Sequence, residues 1–475
     1  MGSITDRASL RLRQVVLDAT HVVATAVTAT VALAAGAAPK LAASWRTPRE
    51  VRSRADRPPR LLTFEGDYSL STIRERQLEH LVTCRDLEGF FDHVWSVHPA
   101  AGADPNEPWE SSVGPLTTTE ISPRHTMVEG RVAFKPWLRY LPKLNFVLGQ
   151  CALFARLHRL VREEGIDVIR ASEPFYLGLF GLALSRWNGV PLVVRLIANY
   201  DAGVYGEGQA AYPRLFRRRS VEKRIDRFVL ARADLVAAGN EDIRGYALAN
   251  GAREERTTVF LVGNAIDPVH FELEPSERPS VSDELDIGAR PFIVLVSRLV
   301  PQKHPEDFLA VLAEARRRMP DLVGVLVGDG SMRGELEARA RELGIGKALI
   351  FAGERNQQWI ARALSSADVV LSPLTGRALV EATLSGTPVV AYDVDWHSEL
   401  IEPGKTGLLV PFRDTRAMAR AVCDLLADEG LASSLAEAAR AKTRDLMDPQ
   451  ALIDHERQSY QRLLSGRRAA VARRC

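Results

Sequence analysis

Short apolar runs alternate with amphipathic stretches from Leu61 almost to the end of the chain. The runs are bounded by turn-forming residues, which is typical of buried strands, whereas the stretches between them repeat apolar residues at helical spacing. Strands that alternate with helices predict parallel sheets covered by helices. The pattern therefore predicts an α/β protein.

The first half of the chain contains six predicted strands. They lie in the segments LLTFEGDYSL, FDHVWSVHP, IDVIRAS, PLVVRLIANY, ADLVAAGN and TTVFLVGNAIDPVHF. A long helix, FVLGQCALFARLHRLVREEG, is predicted between the second and third of them. The polar segment ELEPSERPSVSDELDIGAR, which follows, is typical of an interdomain linker. We therefore predict a first Rossmann-like domain over residues 59–268 and a linker over 269–290.

The second half repeats the alternation with five predicted strands. They lie in PFIVLVSRLV, DLVGVLVGDG, ALIFAGE, ADVVLSP and GTPVVAYD. Five strands in one direction predict a second doubly wound domain over residues 291–447. The last segment, 448–475, contains the helical pattern PQALIDHERQSYQRLLSG with no strand after it, and we predict that this helix crosses back to the first domain.

Composition limits the classes of protein that fit. A chain of 475 residues is long enough for two domains, and 46% hydrophobic residues, 26% charged residues and a net charge of +2 are typical of a folded soluble protein. This balance argues against a general nucleic-acid binder. The cysteines are scattered, so neither a zinc site nor a disulfide framework is indicated, and a reducing cytoplasm fits best.

The leader, residues 1–58, is the compositional exception. Its segment 19–39 carries no Asp, Glu, Lys or Arg and is long enough to span a bilayer, although Ala and Thr predominate. A basic stretch follows, which favours a membrane-associated helix with the folded body on the cytoplasmic side. A secretory signal and a surface-packed or poorly ordered leader remain alternatives.

A second basic segment, YPRLFRRRSVEKRIDRFVLARAD, interleaves arginines with apolar residues at helical spacing. Such a helix suits an anionic membrane surface. A solvated helix packed on the domain core explains the same pattern.

Arg298 and Lys303 follow the first strand of the second domain. Ligands of parallel sheets bind beyond the carboxyl ends of the strands, and a forked guanidinium beside a mobile ammonium suits a diphosphate. The alternative is that both residues are ordinary surface cations.

A second candidate element is SPLTGRALVEATLSGTPVVAYD, in which Gly376 opens a predicted helix that carries Arg377 and Glu381. A helix N-terminus presents unpaired amides and attracts phosphate. Glu381 could accept two hydrogen bonds from a vicinal diol such as a ribose. Its apolar neighbours predict that it is at least partly buried.

Other motifs are weaker. GDGSMRG resembles a dinucleotide fingerprint with imperfect spacing, so nicotinamide binding is not favoured. The DVD at Asp393–Asp395 is too short to indicate a metal, and His304 and His397 lack partners at zinc-ligand spacing. We expect no metal and no cofactor.

Five motifs occur in order in the second half: SRL with a following Lys, GDG before a helix, ADVVLSP, LVEATLSGTPVVA and PGKTGLLVP. This order resembles the C-terminal half of family 4 retaining glycosyltransferases. NAIDPVHF is similar to the turn that precedes that half in the family. The resemblance implies the GT-B fold, with two doubly wound Rossmann-like domains facing a cleft. It covers about residues 260–445; the first domain is similar only in its strand pattern.

The resemblance also implies roles for individual residues. Arg298 and Lys303 would be the catalytic cations that hold the donor diphosphate, and Glu381 would hold the ribose. The remaining implied contacts are Gly66, Gly376 and Arg377 to the donor, and Asp67, Asn199, Asp201 and Thr375 to sugar or acceptor. The sequence departs from the family pattern at Pro373, where a glutamate is usual, and near Ile197, where a histidine is common. A structural turn is the alternative for Asn199 and Asp201.

The resemblance implies a retaining glycosyltransferase that moves a sugar from a nucleotide-diphosphate sugar to an acceptor hydroxyl. The leader and the basic segment favour a glycan or lipid-linked acceptor on the cytoplasmic face of a membrane. The alternatives are a non-catalytic binding or scaffold protein of the same fold and, within enzymes, a sugar-nucleotide epimerase. The nucleotide base, the sugar, the acceptor and the linkage are not predicted.

Overall fold

The computed structural model describes residues 57–472 except for 67–68, 76–77, 102–112, 134, 139, 203–209, 212–215, 217, 273–278 and 375. Almost all of the predicted leader, as well as Asp67 and Thr375, lies outside the described residues. The chain divides into two units at Phe260 and Leu261, and it rejoins the first unit from Ile453 onwards.

An eight-stranded sheet forms the first unit. Its strands are β1 (Arg60–Phe64), β2 (His93–Ala101), β3 (Thr117–Ser122), β4 (His125–Arg131), β5 (Val168–Ala171), β6 (Leu192–Leu196), β7 (Leu235–Ala238) and β8 (Thr257–Val259). The spatial order is β3-β4-β2-β1-β5-β6-β7-β8. The central strands are buried on both faces, which requires the continuous apolar runs seen in the sequence.

The hairpin β3–β4 at one edge of this sheet is not among the predicted strands. It is the antiparallel pair of the sheet, and β3 is polar, with partly and fully exposed residues alternating along it. Period-2 alternation is the signal that such an edge strand leaves in a sequence. The run TTTEIS is too short and too polar for that signal to stand out.

Helices cover this sheet. They are α1 (Leu70–Glu75), α2 (His80–Thr83), α3 (Pro142–Glu163), α4 (Tyr176–Asn188), α5 (Arg219–Leu230) and α6 (Glu241–Ala249). α4 is apolar on nearly every side and lies in the core, as an all-round apolar helix must. Asn240 is the N-cap residue of α6, and its side chain accepts the N–H of Ile243.

The second unit contains a six-stranded parallel sheet. Its strands are β9 (Phe292–Val296), β10 (Val323–Val327), β11 (Leu349–Gly353), β12 (Val369–Ser372), β13 (Val389–Tyr392) and β14 (Leu408–Val410). The spatial order is β11-β10-β9-β12-β13-β14. The five predicted strands are present, and β14 is an additional short strand at one edge. The prediction of two doubly wound α/β units is therefore confirmed.

The helices of the second unit are α7 (Val269–Glu272), α8 (Pro305–Ala315), α9 (Arg333–Glu342), α10 (Gln357–Ser366), α11 (Arg377–Leu384), α12 (His397–Leu400), α13 (Thr415–Ala427), α14 (Glu429–Leu446) and the start of α15 (Pro449–Ala472). The chain leaves β9 towards β10 on one side and returns to β12 on the other. β9 and β12 are hydrogen-bonded neighbours, so the direction of winding reverses between them.

The later part of α15 packs against the first unit. Tyr460 is fully buried and makes ring contacts with Phe91 at 5.1 Å and with Phe260 at 6.0 Å. Arg457 donates to the carbonyl of Leu87 at 2.7 Å and pairs with Glu88 at 2.9 Å. These contacts hold the last helix on the N-terminal sheet.

The apolar side of the basic segment belongs to the core. In α5, Ile225 and Val229 are buried, and Phe216 just before the helix is buried as well. The structure therefore favours the packed-helix explanation of this pattern over a membrane-facing stripe. Within the described part of the chain, no helix has both the length and the apolar character needed to cross a membrane.

Buried charges on α5 pair with one another. Arg219 lies 3.1 Å from Asp226 and 3.5 Å from Glu222, and both carboxylates are fully buried. Tyr246 donates its hydroxyl to Asp226 at 2.6 Å. Buried charges are tolerated only when they are paired and hydrogen-bonded in this way.

We predict that Arg219→Met lowers the free energy of unfolding by about 3 to 5 kcal/mol, because two carboxylates would remain buried without their countercharge. Arg224→Met, on the exposed side of the same helix, is the matched control and should change it by less than about 0.5 kcal/mol. Urea unfolding followed by circular dichroism measures both. Equal losses in the two variants would contradict this account of the network.

Candidate functional site

The residues expected to bind a ligand follow two neighbouring strands of the second sheet. Arg298 and Lys303 come after β9, and Gly376, Arg377 and Glu381 come after β12. The two strands pair in parallel, with Val370 opposite Val294, so both loops lie at the same edge of the sheet. This edge lies where the winding reverses, which is the usual ligand position in open α/β sheets.

Backbone hydrogen bonds fix the loop that carries Arg298. Ser297 donates its N–H to the carbonyl of Val327 at 3.0 Å, and Leu299 donates to the carbonyl of Asp329 at 2.9 Å. The N–H of Met332 returns a bond to the carbonyl of Leu299 at 3.0 Å. The loops after β9 and β10 are thus joined along their backbones.

This close approach explains the GDG motif. A Cβ atom at Gly328 would lie 2.1 Å from the carbonyl oxygen of Ser297, and one at Gly330 would lie 2.4 Å from that of Leu299. Gly328 also has a φ of +125°, which disfavours other residues. The two glycines therefore serve loop packing beside Arg298, a role that the comparison with a dinucleotide fingerprint did not predict.

Arg298 and Lys303 form a pair of like charges. Arg298 is exposed and Lys303 is partly buried, and neither side chain makes a hydrogen bond or an ion pair with a described residue. Burial lowers the pKa of Lys303, and the nearby Arg298 lowers it further, whereas Asp395 acts in the opposite direction. An anion bound here would relieve the repulsion between the two cations.

The helix α11 begins at this site without a side-chain cap. Gly376 is its N-cap residue and is exposed, and no other atom lies within 4 Å of the position of a Cβ there. Arg377 donates to the carbonyl of Ala265 at 3.2 Å, which ties the helix to the turn Gly263–Ala265 near the start of the second unit. At least one N–H group of Arg377 therefore has a structural partner within the protein.

Glu381 lies one turn into α11 and is only 5% exposed. Its carboxylate makes no hydrogen bond or ion pair with any described residue. A carboxylate in such surroundings is costly unless a partner satisfies it. The predicted burial is therefore present, and a hydrogen-bonding ligand would complete the group. Pro373, in place of the usual glutamate, is buried after β12.

Asn199 and Asp201 have structural partners. The amide of Asn199 donates to both carboxylate oxygens of Asp242 at 3.1 Å, and its side-chain oxygen accepts the N–H of Asp201. Asp201 accepts from Lys223 at 2.8 Å and from Asn250 at 3.1 Å. Burial raises the pKa of Asp201, but these bonds outweigh it and the pKa is lowered. The contacts fit the turn that was the alternative interpretation.

Gly66 is exposed just after β1, at the carboxyl edge of the first sheet. Glu65 beside it pairs with Arg85 at 3.3 Å and with Arg170 at 3.8 Å.

The neighbouring strand β5 is followed by Glu173, which the sequence did not single out. It is 2% exposed, and its carboxylate accepts the N–H groups of Phe175 and Leu177 at the start of α4. Burial raises the pKa of Glu173 to about 8 despite these bonds. Because it is closed off from solvent, its evident role is to cap α4.

The two histidines of the second unit have structural contacts. His397 is fully buried and hydrogen-bonds the carbonyl of Tyr392 at 2.9 Å. His304 lies 3.1 Å from Arg413 and 3.3 Å from Glu306. Within the described ranges, no group of three His, Cys, Asp or Glu side chains is placed to hold a metal ion.

Comparisons with known proteins agree with this architecture. Residues 278–442 match the family model described as Glycosyl transferases group 1, and residues 116–263 match the Glycosyl transferase 4-like domain. The chain belongs to the family 4 glycosyltransferases and has their GT-B fold.

Two similar proteins are named as sugar transferases. A GDP-mannose-dependent alpha-(1-6)-phosphatidylinositol monomannoside mannosyltransferase of Mycolicibacterium smegmatis is 26% identical over 62% of this chain and 76% of its own length. A D-inositol 3-phosphate glycosyltransferase of Nocardia farcinica is 32% identical, over 52% of this chain and 56% of its own. The chain thus covers little more than half of the second relative.

Solved structures share the fold at low identity. Sucrose-phosphate synthase from Thermosynechococcus elongatus has a TM-score of 0.64 at 20% identity, over 86% of this chain and 100% of that one. HepE of Anabaena, in complex with UDP and glucose, has a TM-score of 0.63 at 19% identity, over 85% of this chain and 99% of that one. At these identities the likeness concerns the fold.

We predict that inorganic diphosphate binds more weakly as the pH rises through the lowered pKa of Lys303. A bound anion raises that pKa, so binding requires the protonated amine, and affinity is lost once the free protein releases the proton. The arginine of the Lys303→Arg variant stays charged at these pH values, so its affinity for diphosphate should fall less as the pH rises. Calorimetric titrations from neutral to alkaline pH compare the two. Parallel profiles would contradict this role for Lys303.

We also predict that Gly330→Ala weakens diphosphate binding and lowers the free energy of unfolding by about 1 to 3 kcal/mol, because the new methyl group would push the Arg298 loop away. Gly334→Ala is the matched control, since nothing lies within 4 Å of its Cβ position. Calorimetry and urea unfolding give the two quantities. If the Gly330 variant bound diphosphate as tightly as the unchanged protein, the close contact between the loops would not be required for anion binding.

Proposed function

We propose that this glycosyltransferase moves a sugar from a nucleotide-diphosphate sugar to an acceptor hydroxyl with retention of the anomeric configuration. The donor diphosphate binds Arg298 and Lys303 at the N-terminus of α11, and the ribose hydroxyls donate to Glu381. One observation carries the proposal: two cations and a buried carboxylate, all without partners among the described residues, follow adjacent strands where the winding reverses.

The chemistry follows from this arrangement. The bond between the anomeric carbon and the diphosphate oxygen breaks, and its electron pair stays on the diphosphate. Arg298, Lys303 and the amides of α11 stabilise that growing negative charge. Fixed positive groups accelerate a reaction most where negative charge develops in the transition state. The acceptor oxygen bonds the anomeric carbon on the same face, and its proton passes to the departing diphosphate oxygen. We propose that these fixed cations serve without a metal, so that a chelator leaves turnover unchanged.

The relatives support the acceptor class. Two of them are named for inositol 3-phosphate or a phosphatidylinositol glycolipid as the substrate that receives the sugar. We propose a glycan or lipid-linked acceptor for this chain, used in the synthesis of cell-envelope polysaccharide or lipid-linked glycan. One relative is named for GDP-mannose and one structure contains UDP, so the base of this donor is left open.

Pro373 favours one alternative function. A buried proline stands where the family has a glutamate, which removes one polar contact to the donor sugar. A protein that binds nucleotide sugars without transferring them would tolerate this change. Turnover of the donor with a supplied acceptor separates the two functions.

We predict that two ligands distinguish the residues of the donor site. Arg298→Ala should weaken binding of inorganic diphosphate and of a nucleoside diphosphate alike, by about 1.5 to 3 kcal/mol for a lost charged hydrogen bond. Glu381→Gln should weaken the nucleoside diphosphate only, because inorganic diphosphate has no ribose. Calorimetry with a panel of nucleoside diphosphates measures both effects.

Arg318→Ala is the charge-matched control. Arg318 is exposed and follows the end of α8, at the opposite edge of the sheet from the predicted site. It should leave both affinities unchanged. If Glu381→Gln weakened inorganic diphosphate as much as the nucleoside diphosphate, the ribose assignment would be wrong. If no nucleoside diphosphate bound at all, the transferase proposal would fail with it.

A further inference from the structure

Large apolar side chains lie exposed at the entrance to α3. We name Trp137, Tyr140, Leu141, Leu144 and Leu148 the Trp137 patch. Their exposed fractions are 74%, 77%, 55%, 46% and 40% in that order. Isolated exposed apolar residues are common, whereas a continuous apolar patch marks a binding surface.

The patch forms one stripe along the chain. Trp137 lies in the 3₁₀ turn Pro136–Leu138, and α3 begins at Pro142. Leu144 and Leu148 lie three and seven residues after Leu141, the N-cap residue of α3, so these three leucines lie on one side of the helix. Trp137 precedes them in the turn that leads into α3. Further along α3, Cys151 is exposed on the same side.

The segment is held so that the patch faces outward. The side chain of Asn145 accepts the N–H of Lys135 at 2.8 Å and donates to its carbonyl at 2.7 Å. Leu138 and Phe146 are buried beneath the segment. The inward positions are thus already filled by other side chains, and Trp137 and Tyr140 stay in contact with solvent.

The sequence around the patch is strongly cationic. No Asp or Glu occurs between Glu129 and Glu163, whereas that interval contains the basic residues Arg131, Lys135, Arg139, Lys143, Arg156, Arg159 and Arg162. The chain as a whole is nearly balanced, with 62 basic and 60 acidic residues. The local excess of positive charge complements an anionic surface.

We propose that the Trp137 patch binds the surface of an anionic phospholipid membrane. Tryptophan and tyrosine favour the headgroup level of a bilayer, leucines enter the acyl boundary, and basic residues pair with the phosphates. The absence of acidic residues from this interval favours a lipid surface over a protein partner, whose interface would offer charges of both signs. The proposal goes beyond the donor chemistry and does not depend on it.

The test measures contact between tryptophan and lipid in the full chain, with no donor present. Vesicles are made of an equimolar mixture of phosphatidylcholine and phosphatidylglycerol, with bromine atoms on the acyl chains that quench nearby tryptophan. We expect the vesicles to quench part of the tryptophan emission, and we expect Trp137→Phe to remove most of that quenching. Vesicles of phosphatidylcholine alone should quench much less.

Two variants serve as controls for the location. Trp187→Phe changes another exposed tryptophan, on α4, and should keep the quenching. Trp45→Phe changes a tryptophan of the leader and should also keep it. If Trp137→Phe kept the quenching while Trp45→Phe removed it, the leader and not the Trp137 patch would bind the membrane, and the proposal would be overturned.

A second measurement does not depend on fluorescence. Replacing Leu144 and Leu148 together by Gln changes exposed side chains, so the thermal midpoint should stay the same. Sedimentation with the same vesicles should show partitioning reduced at least about tenfold, because two leucines would no longer enter the bilayer. Unchanged partitioning would refute the proposal. If the same pair instead turned a dimer into a monomer without affecting partitioning, the patch would be an interface between copies of the chain.

Discussion

The candidate site of the second unit depends on two positive charges, Arg298 and Lys303, that the fold holds close together. Arg298 lies close enough to Lys303 to lower its pKa, and neither side chain has a hydrogen-bonded partner among the described residues. Like charges separate unless the backbone holds them. Here the hydrogen bonds between the loops after β9 and β10 hold Arg298, and the two glycines allow those loops to approach. The core of the sheet beneath them provides the rigidity that a preorganised anion site needs.

The two units treat buried charge in opposite ways. In the first, Arg219 pairs with both Glu222 and Asp226, and Asn199 and Asp201 are bound by neighbouring side chains. Such paired networks stabilise a structure. In the second, Glu381 is buried without a partner among the described residues. Because buried polar groups usually have hydrogen-bond partners, the lack of one marks Glu381 as a candidate binding residue.

Two groups of apolar residues in the first unit differ in whether they are buried. The stripe of α5 looks amphipathic in sequence, but its apolar side lies in the core. The Trp137 patch is shorter and less regular in sequence, and its side chains remain in water because Leu138 and Phe146 already occupy the interior. An amphipathic pattern indicates that a helix has an apolar face and a polar face. Which face meets the core, and whether any apolar residue is left over, depends on what packs against it.

The sequence by itself determined the α/β class, the central strands of both sheets, the position of Arg298 and Lys303 after a strand and that of Glu381 on a helix, because these rest on local patterns of apolar and polar residues. It did not predict the β3–β4 hairpin, whose polar edge strand leaves a weak pattern. Tertiary structure decided that Asn199 and Asp201 belong to a turn, that Gly328 and Gly330 hold the Arg298 loop, and that the apolar side of α5 is buried. Each of those outcomes depends on contacts between segments far apart in the chain, which local periodicity does not encode.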